Sequence, residues 1–328
     1  MGEFELIDRF FRRPGRRPGA GVALGIGDDC ALLAPAPGMQ LAVSSDLLLE
    51  GRHFLSTVDP RRLGHKALAV NLSDLAATGA RPLGFTLALA LPQVDEAWLA
   101  GFAQGLFALA DEHGCELVGG DTTRGPLAIC ITVFGEVPAG GALLRSGARA
   151  GDELWVSGTL GDARLALEVF RGTVAVPGAL FEEIRARLEQ PTPRVALGLA
   201  LRGIASAAID VSDGLVGDLG HVLRASGAGA RIDTSQALEL FGARASAGLR
   251  GGLPDEQRQL ALVLAGGDDY ELAFTAAPAR RQEVLQAAAA AGCRVTRIGS
   301  IETESSLRLV DGQGRPVVQQ YTSFDHFA

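Results

Sequence analysis

The sequence predicts a two-domain α/β protein of mixed, α+β character, and three observations predict it. Strand-like and helix-like apolar runs alternate in both halves with short links, the pattern of helices laid on a sheet. At 328 residues the chain is long for a single core. Around 138–150 the text changes to PAGGALLRSGARAGD, a Gly- and Ala-rich segment that reads as a link. We therefore place an N-terminal domain over 1–138, with helices on one face of its sheet, and a C-terminal α/β domain over 139–328.

In chain order, GEFELIDRFF reads as a short helix, and the Arg-rich loop at 12–17 that follows is a plain connection or closes over an anionic ligand. A tight acidic turn, GIGDDCALL, leads into the strand QLAVSSDLLLEG, with Ser44, Ser45 and Asp46 at its exit. The helix over 59–78 is marked at both ends: Asp59 caps it, Pro60 takes the first helical position, Gly79 suits the left-handed residue beyond it, and Pro82 prevents continuation. It is apolar around most of its circumference, yet Asn71, Asp74 and Thr78 share one face. Buried, that face needs either local hydrogen bonds or a ligand.

PLGFTLALALP is a buried strand, DEAWLAGFAQGLFALADEHG a helix, CELVGGDTT a strand running into a Gly-Gly-Asp turn, and LAICITVFGEV a further strand. The second domain opens with the strand ELWVSG and the turn GTLGDA, either a plain turn or an anion seat on free N–H groups, followed by a helix. Residues 171–193 read as irregular, PTPRVALG as the start of a helix reaching about Ala207, and AAIDVS as a strand that hands to the helix DGLVGDLGHVLRASG. LVLAGGDDYELAFT, the helix PARRQEVLQAAAAAGC and the strand RVTRIGSI complete it.

Composition narrows the chemistry. Apolar content of 47% with 21% charged residues is that of an ordinary globular protein. There is no apolar run of the ~20 residues a bilayer requires and no signal-type N-terminus, so the expectation is a cytoplasmic protein without a membrane partner. A net charge of −8 argues against nucleic acid. Cys30, Cys115, Cys130 and Cys293 are scattered and read as free, packed thiols. Lys66 is the only lysine, which excludes a P-loop; the turn at Gly25–Cys30 lacks the third glycine of a dinucleotide fingerprint.

The acids carry the chemistry. Asp28, Asp29, Asp46, Asp74, Asp121, Asp210, Asp213, Asp268 and Asp269 stand at strand ends or in glycine turns, where backbone can approach a ligand. Any one of them could be a helix cap; so many point to a shared role. Two carboxylates about 4 Å apart in a partly shielded site repel by ~4 kcal/mol, so converging acids need cations. Oxygen donors without a His/Cys pattern select Mg²⁺ or Ca²⁺, with Mn²⁺ as a substitute, and Mg²⁺ completes its shell with phosphate and water. Arg145 is the candidate phosphate contact, or else a solvated linker arginine.

GDDCALL, SSDLLLEGRHF, GHKALAVNLSDLAATGARP, GGDTT, RSGARAGDELWVSG, PTPRVALG, IDVSDGLVGDLGH, GGDDYELAFT and a terminal HF occur in this order over nearly the whole chain. Together they resemble the thiamine-monophosphate kinase family, of the superfamily that includes aminoimidazole ribonucleotide synthetase and selenophosphate synthetase. The resemblance implies direct, in-line, ATP-dependent phosphorylation of thiamine monophosphate to thiamine diphosphate. It implies several Mg²⁺ ions on Asp28, Ser44, Ser45, Asp46, Asp74, Asp121, Asp210 and Asp213, with Asp46, Asp74, Asp121 and Asp213 central to catalysis. It further implies ATP contacts at Gly120, Asp121, Arg145 and Ser212, and substrate contacts at His53, Asp268 and Phe324. A homodimer formed by pairing of N-terminal sheets, and a C-terminal domain that completes the active site, are implied as well.

The chain departs from the family pattern at Cys30, at Thr78 (usually Met) and at Asp268, one methylene shorter than the usual Glu. The alternatives are a non-catalytic nucleotide- or divalent-metal-binding protein of the same fold, or another ATP-dependent synthetase of the superfamily. Selenophosphate synthetase would need a lysine near the N-terminus, and none precedes Lys66.

Overall fold

The computed structural model describes residues 2–13, 19–245, 253–319 and 321–324. Most of the Arg-rich loop and the terminal His326–Phe327 lie outside the described residues. The chain divides into two compact units, one comprising 1–75 and 80–141, the other 76–79 and 142–328.

The first unit contains α1 (Glu3–Leu6), which continues as a π turn over Ile7–Phe11, and the short strands β1 (Val22–Leu24) and β2 (Leu32–Leu33). There follow β3 (Met39–Leu49), α2 (Pro60–Thr78), β4 (Arg81–Leu91), α3 (Glu96–Glu112), β5 (Glu116–Arg124) and β6 (Ala128–Pro138). The main sheet runs β3-β6-β4-β5, antiparallel except for the parallel β4/β5 pair.

Helix α2 has the ends its sequence specifies. The Asp59 carboxylate accepts from the N–H groups of Arg61 and Arg62 at 2.9 and 3.2 Å. At the other end Gly79 is left-handed (φ 67°), and the Ala80 N–H returns to the Leu75 carbonyl. Leu63, Leu68, Leu72 and Leu75 are fully buried, as are Phe102 and Leu106 of α3. The two helices come within backbone contact because small residues line the crossing: a Cβ on Gly64 would lie 2.0 Å from the Phe102 carbonyl oxygen, and one on Gly105 would lie 1.7 Å from that of Arg61. Both helices need these glycines.

The sheet has one covered and one open face. On β6, Ile129, Ile131 and Val133 are fully buried, alternating with the half-buried Cys130, Thr132 and Phe134. On β3 the odd positions Leu41, Val43 and Leu47 are 45–56% exposed. Period-2 alternation therefore places Ser44 and Asp46 on the opposite face from Ser45.

Two expectations for this unit are corrected. Ser44, Ser45 and Asp46 are not at a strand exit: β3 continues to Leu49, and every residue of it is paired with β6. Asp121 is not in a turn: β5 runs through it to Arg124, in register with β4. Gly120 makes this possible, with φ of 147° and a position where a Cβ would lie 1.9 Å from the Leu87 carbonyl oxygen.

The second unit contains β7 (Glu153–Ser157), α4 (Asp162–Phe170), α5 (Gly178–Glu189), α6 (Val195–Leu201), β8 (Ala207–Val211), α7 (Leu215–Ser226), β9 (Gly229–Asp233) and α8 (Thr234–Leu238). It ends with α9 (Glu256–Ala265), β10 (Glu271–Ala276), α10 (Arg281–Ala290), β11 (Val295–Glu302) and β12 (Leu307–Val310). Its sheet runs β12-β9-β11-β7-β10-β8, and every residue of β7, β8 and β10 is buried.

Here the sequence is less legible. The segment that reads as irregular holds α5, the helix after PTPR stops at Leu201 rather than near Ala207, and LVLA, given no element from the sequence, closes α9. Continuous apolar text does not distinguish a short buried helix from a buried strand. The unit is stitched by Glu271, fully buried on β10. Its carboxylate accepts from Arg194 at 2.5 and 2.6 Å, from Arg187 at 2.7 Å and from the Ser157 hydroxyl at 2.6 Å. Such a charge is tolerable in a core because its oxygens are saturated with donors.

Candidate active site

In the first unit, α2 and β3 bring four of the polar residues together. The Ser44 hydroxyl donates to Asp74 Oδ2 at 2.5 Å, and the Asp46 N–H donates to Asn71 Oδ1 at 3.2 Å. Asn71 is fully buried; its amide donates back to the Ala67 carbonyl at 3.0 Å, so it is spent fixing strand to helix. Asp74, three residues on, is only half-buried and meets the strand's hydroxyl instead. The polar face of α2 is thus divided between a structural amide and a carboxylate set beside Ser44 and Asp46.

The other predicted residues of this unit stand differently. Ser45 turns to the open face, bonding Thr132 Oγ1 at 2.9 Å and the Ile131 carbonyl at 3.2 Å. Asp28 is exposed and accepts the N–H of Asp29 at 2.9 Å. Asp121 is exposed on β5, three strands from β3. His53 accepts the Leu49 N–H on Nδ1 at 2.9 Å, which sets the neutral ring in its Nε2–H form. Its loop walls a pocket of about 660 Å³ lined by Leu49, Gly51, Leu55, Ser56, Pro92 and Leu127.

In the second unit the turn after β8 is the focus. Asp210, on β8, is buried and opposite Leu272. The Ser212 carbonyl accepts the Asp268 N–H at 2.7 Å, and the Asp213 carbonyl accepts the Phe324 N–H at 3.0 Å. Residues 56 and 111 positions apart in sequence therefore meet at one turn. Asp268 and Tyr270 both take positive φ, 63° and 52°. Strain of this kind costs of order 1–3 kcal/mol per residue and collects at ligand sites. Arg145 is exposed; His221 lies in the field of both Arg145 and Asp213, and its pKa is lowered by burial first and by the arginines Arg224 and Arg145 next.

A residue that sequence reasoning missed is central here. Asp218, in the first turn of α7, accepts on one oxygen from the N–H groups of Ser212, Asp213 and Gly214, at 3.0–3.1 Å. Burial and the Asp213 charge push its carboxyl up to about 7 against those three donors. An acid in a first helical turn is a visible signal, but nothing local says that it reaches backward.

The turn GTLGDA does not offer a free anion seat. The Gly161 N–H donates to the buried Asp269 at 2.9 Å, so that donor is already taken by the chain's own carboxyl group. Asp269 is held well above the usual carboxylate range, chiefly by burial, and Asp162 is raised to about 6 for the same reason.

Among the described residues, no three His, Cys, Asp or Glu side chains come close enough together to hold a metal ion by themselves. The polar donors on display are oxygens: Ser44 and Asp74 in contact, with Asp46 on the same strand face as Ser44, in one unit, and Ser212 and Asp213, adjacent on one turn, in the other. That set fits Mg²⁺, which typically takes one or two carboxylates and finishes its shell with substrate phosphate and water.

Comparison with known proteins gives the class first. Residues 27–137 match the model of the AIR synthase related protein N-terminal domain, and 149–312 match that of the C-terminal domain; the chain belongs to this family. Within it, the thiamine-monophosphate kinase of Salmonella typhimurium is 46% identical over 332 residues, covering 100% of this chain and 98% of the relative. The crystal structure of thiamine-monophosphate kinase from Stenotrophomonas maltophilia is 45% identical, with a TM-score of 0.83, covering 97% of this chain and 98% of the other. AaThiL complexed with AMPPCP and TMP is 28% identical, with a TM-score of 0.74, covering 90% and 89%. The family to which the chain belongs is that of the thiamine-monophosphate kinases.

Proposed function

We propose that this chain transfers the γ-phosphoryl group of ATP directly to the phosphate of thiamine monophosphate, giving thiamine diphosphate and ADP. The observation that carries the reading is the Ser44–Asp74 bond beside Asp46: an oxygen-only donor set displayed by regular structure, in a chain with full-length kinase relatives. Mg²⁺, when bound with ATP, supplies charge neutralisation for the transferring group. Asp28, Ser44, Asp46, Asp74 and Asp121 of the first unit, and Asp210 and Asp213 of the second, are the proposed ligands; Ser45, whose side chain lies on the opposite face of the sheet, would contribute only through its main chain. Gly120, Asp121, Arg145 and Ser212 are assigned to ATP, and His53, Asp268 and Phe324 to thiamine monophosphate.

The protein needs no general base on this account, because a substrate phosphate is already anionic at neutral pH. Its task is to orient two phosphates and hold them in line. The test is a product assay with ATP, Mg²⁺ and thiamine monophosphate. Thiamine diphosphate and ADP in equal amounts are expected; metal-dependent ATP binding without product would instead indicate a binding protein.

The functional unit we propose is a homodimer. The apolar open face of the first unit's sheet, with Leu41, Val43, Leu47 and Leu49 each 38–56% exposed, is the surface a second copy would cover. Sedimentation at micromolar concentration is expected to give the mass of two chains, and a single-chain mass would contradict it. A reducing, cytoplasmic setting is supported by the four free thiols, and no helix among the described residues is long and apolar enough to cross a membrane.

A further inference from the structure

We propose that Asp218 is the positioning residue of the second unit's site, fixing the Ser212–Asp213 turn from behind so that their side chains face ligand; this rests on the assignment of Ser212 to ATP and Asp213 to metal. The turn's peptide groups are held on both sides. Asp218 Oδ2 takes the three successive N–H groups of Ser212, Asp213 and Gly214, at 3.0, 3.1 and 3.1 Å. The Ser212 and Asp213 carbonyls are taken by the N–H groups of Asp268 and Phe324.

An ordinary acid near a helix start serves the orphan N–H groups of its own first turn. Asp218 does something else: its Oδ2 serves Gly214, which precedes the helix, and the two residues before that. Consecutive N–H groups pointing one way make an anion-binding concavity. Here an internal carboxylate, only 5% exposed, fills that concavity. The backbone donors of this turn are therefore not available to a phosphate, and recognition falls to the side chains of Ser212 and Asp213.

The placement is costly if its only purpose is to start a helix. A buried carboxylate next to Asp213 sets two negative groups against each other, which a neutral Asn or Ser cap would avoid. A single carboxyl oxygen takes all three N–H donors, a geometry that a hydroxyl cap seated at the helix start does not reach. Because Asp268 and Phe324 hang from the same two peptide groups, Asp218 also fixes the height of both proposed substrate contacts.

The test compares D218N, D218A and D213N in the full-length protein. Mn²⁺ binding in the presence of ATP is followed by electron paramagnetic resonance, alongside thermal unfolding and the KM values for both substrates. Outer-shell partners of metal ligands typically contribute about 10–100-fold in affinity. Mn²⁺ binding is expected to weaken about tenfold in D218N, where an acceptor oxygen remains, and further in D218A. KM for ATP should rise, while kcat at saturating metal stays within about threefold.

If D218A does not fold, D218N carries the comparison. A lowered unfolding temperature with wild-type Mn²⁺ affinity and KM in D218N, while D213N is impaired, would overturn the inference alone. Wild-type Mn²⁺ affinity in D213N would overturn the underlying assignment and this inference with it.

Discussion

The two units present their acids in opposite ways. In the first, Ser44, Asp46 and Asp74 project from a long strand and a long helix, and one buried amide, Asn71, ties the two elements together. In the second, Ser212 and Asp213 sit on irregular backbone held by Asp218 in the following helix and by Asp268 and Phe324 from distant parts of the chain. Regular structure positions side chains through its own ladder of hydrogen bonds. An irregular turn must borrow that rigidity, and here it takes it from a charged oxygen and from strained neighbours.

The comparison breaks most sharply at Asp74. Asp74→Asn removes the charge at nearly constant volume, and the new amide oxygen can still accept the Ser44 hydroxyl. Turnover is expected to fall by about 10²–10³-fold, with unfolding free energy within about 1 kcal/mol of wild type because surrounding packing is untouched. Steady-state kinetics and denaturant titration measure both. Large destabilisation would mean that Asp74 is structural after all.

A substitution that sharpens the contrast is Arg194→Met. It leaves fully buried Glu271 with Arg187 and Ser157 but without its bidentate partner. Breaking a buried pair costs about 3 kcal/mol at the lower end of its usual range. Since Glu271 follows directly on the strained 268–270 segment, activity should decline with stability, whereas in the first unit the two separate. Urea unfolding with parallel activity at each concentration resolves this.

The smallest effect concerns pH. The Asp162 carboxyl is raised by burial from 3.8 to about 6, so the folded chain holds this proton more tightly than the unfolded chain. Its contribution to stability is greatest below about pH 4 and declines as pH rises through about 6. In Asp162→Asn the amide can donate to Thr159 and its oxygen can accept the Ala243 N–H, replacing both present bonds. The variant should match wild type near pH 4 and exceed it by up to about 3 kcal/mol at pH 7.5. Equal stabilities at both values would show that burial does not govern this group.

These contrasts follow how the chain can be read. Asp59, Pro60 and Gly79 announce the ends of α2 in local text, and helical spacing alone puts Asn71 and Asp74 on one face. The strand carrying Ser44 and Asp46 is equally visible, although its polar residues suggest too early an end. Pairing with β6 satisfies the backbone through Leu49, so the acid lies within the ladder.

The second site resists reading because its geometry is made by distant partners. Nothing near Asp218 shows that it reaches back to Ser212, and nothing near Phe324 shows that its N–H finds Asp213. The text of PTPR and of DYEL likewise gives no sign that Arg194 and Glu271 meet in a core. The ordered blocks mark the family, while the role of each block depends on contacts across more than 50 residues.

The proposed activity depends on acidic side chains that bind ATP through a divalent cation. Calorimetric titration of ATP into the wild-type protein, with Mg²⁺ and with the metal chelated, tests it most directly. Binding should be strong only with Mg²⁺ and should weaken on either Asp74→Asn or Asp213→Asn. ATP binding of equal strength after chelation, unchanged in both variants, would contradict the account.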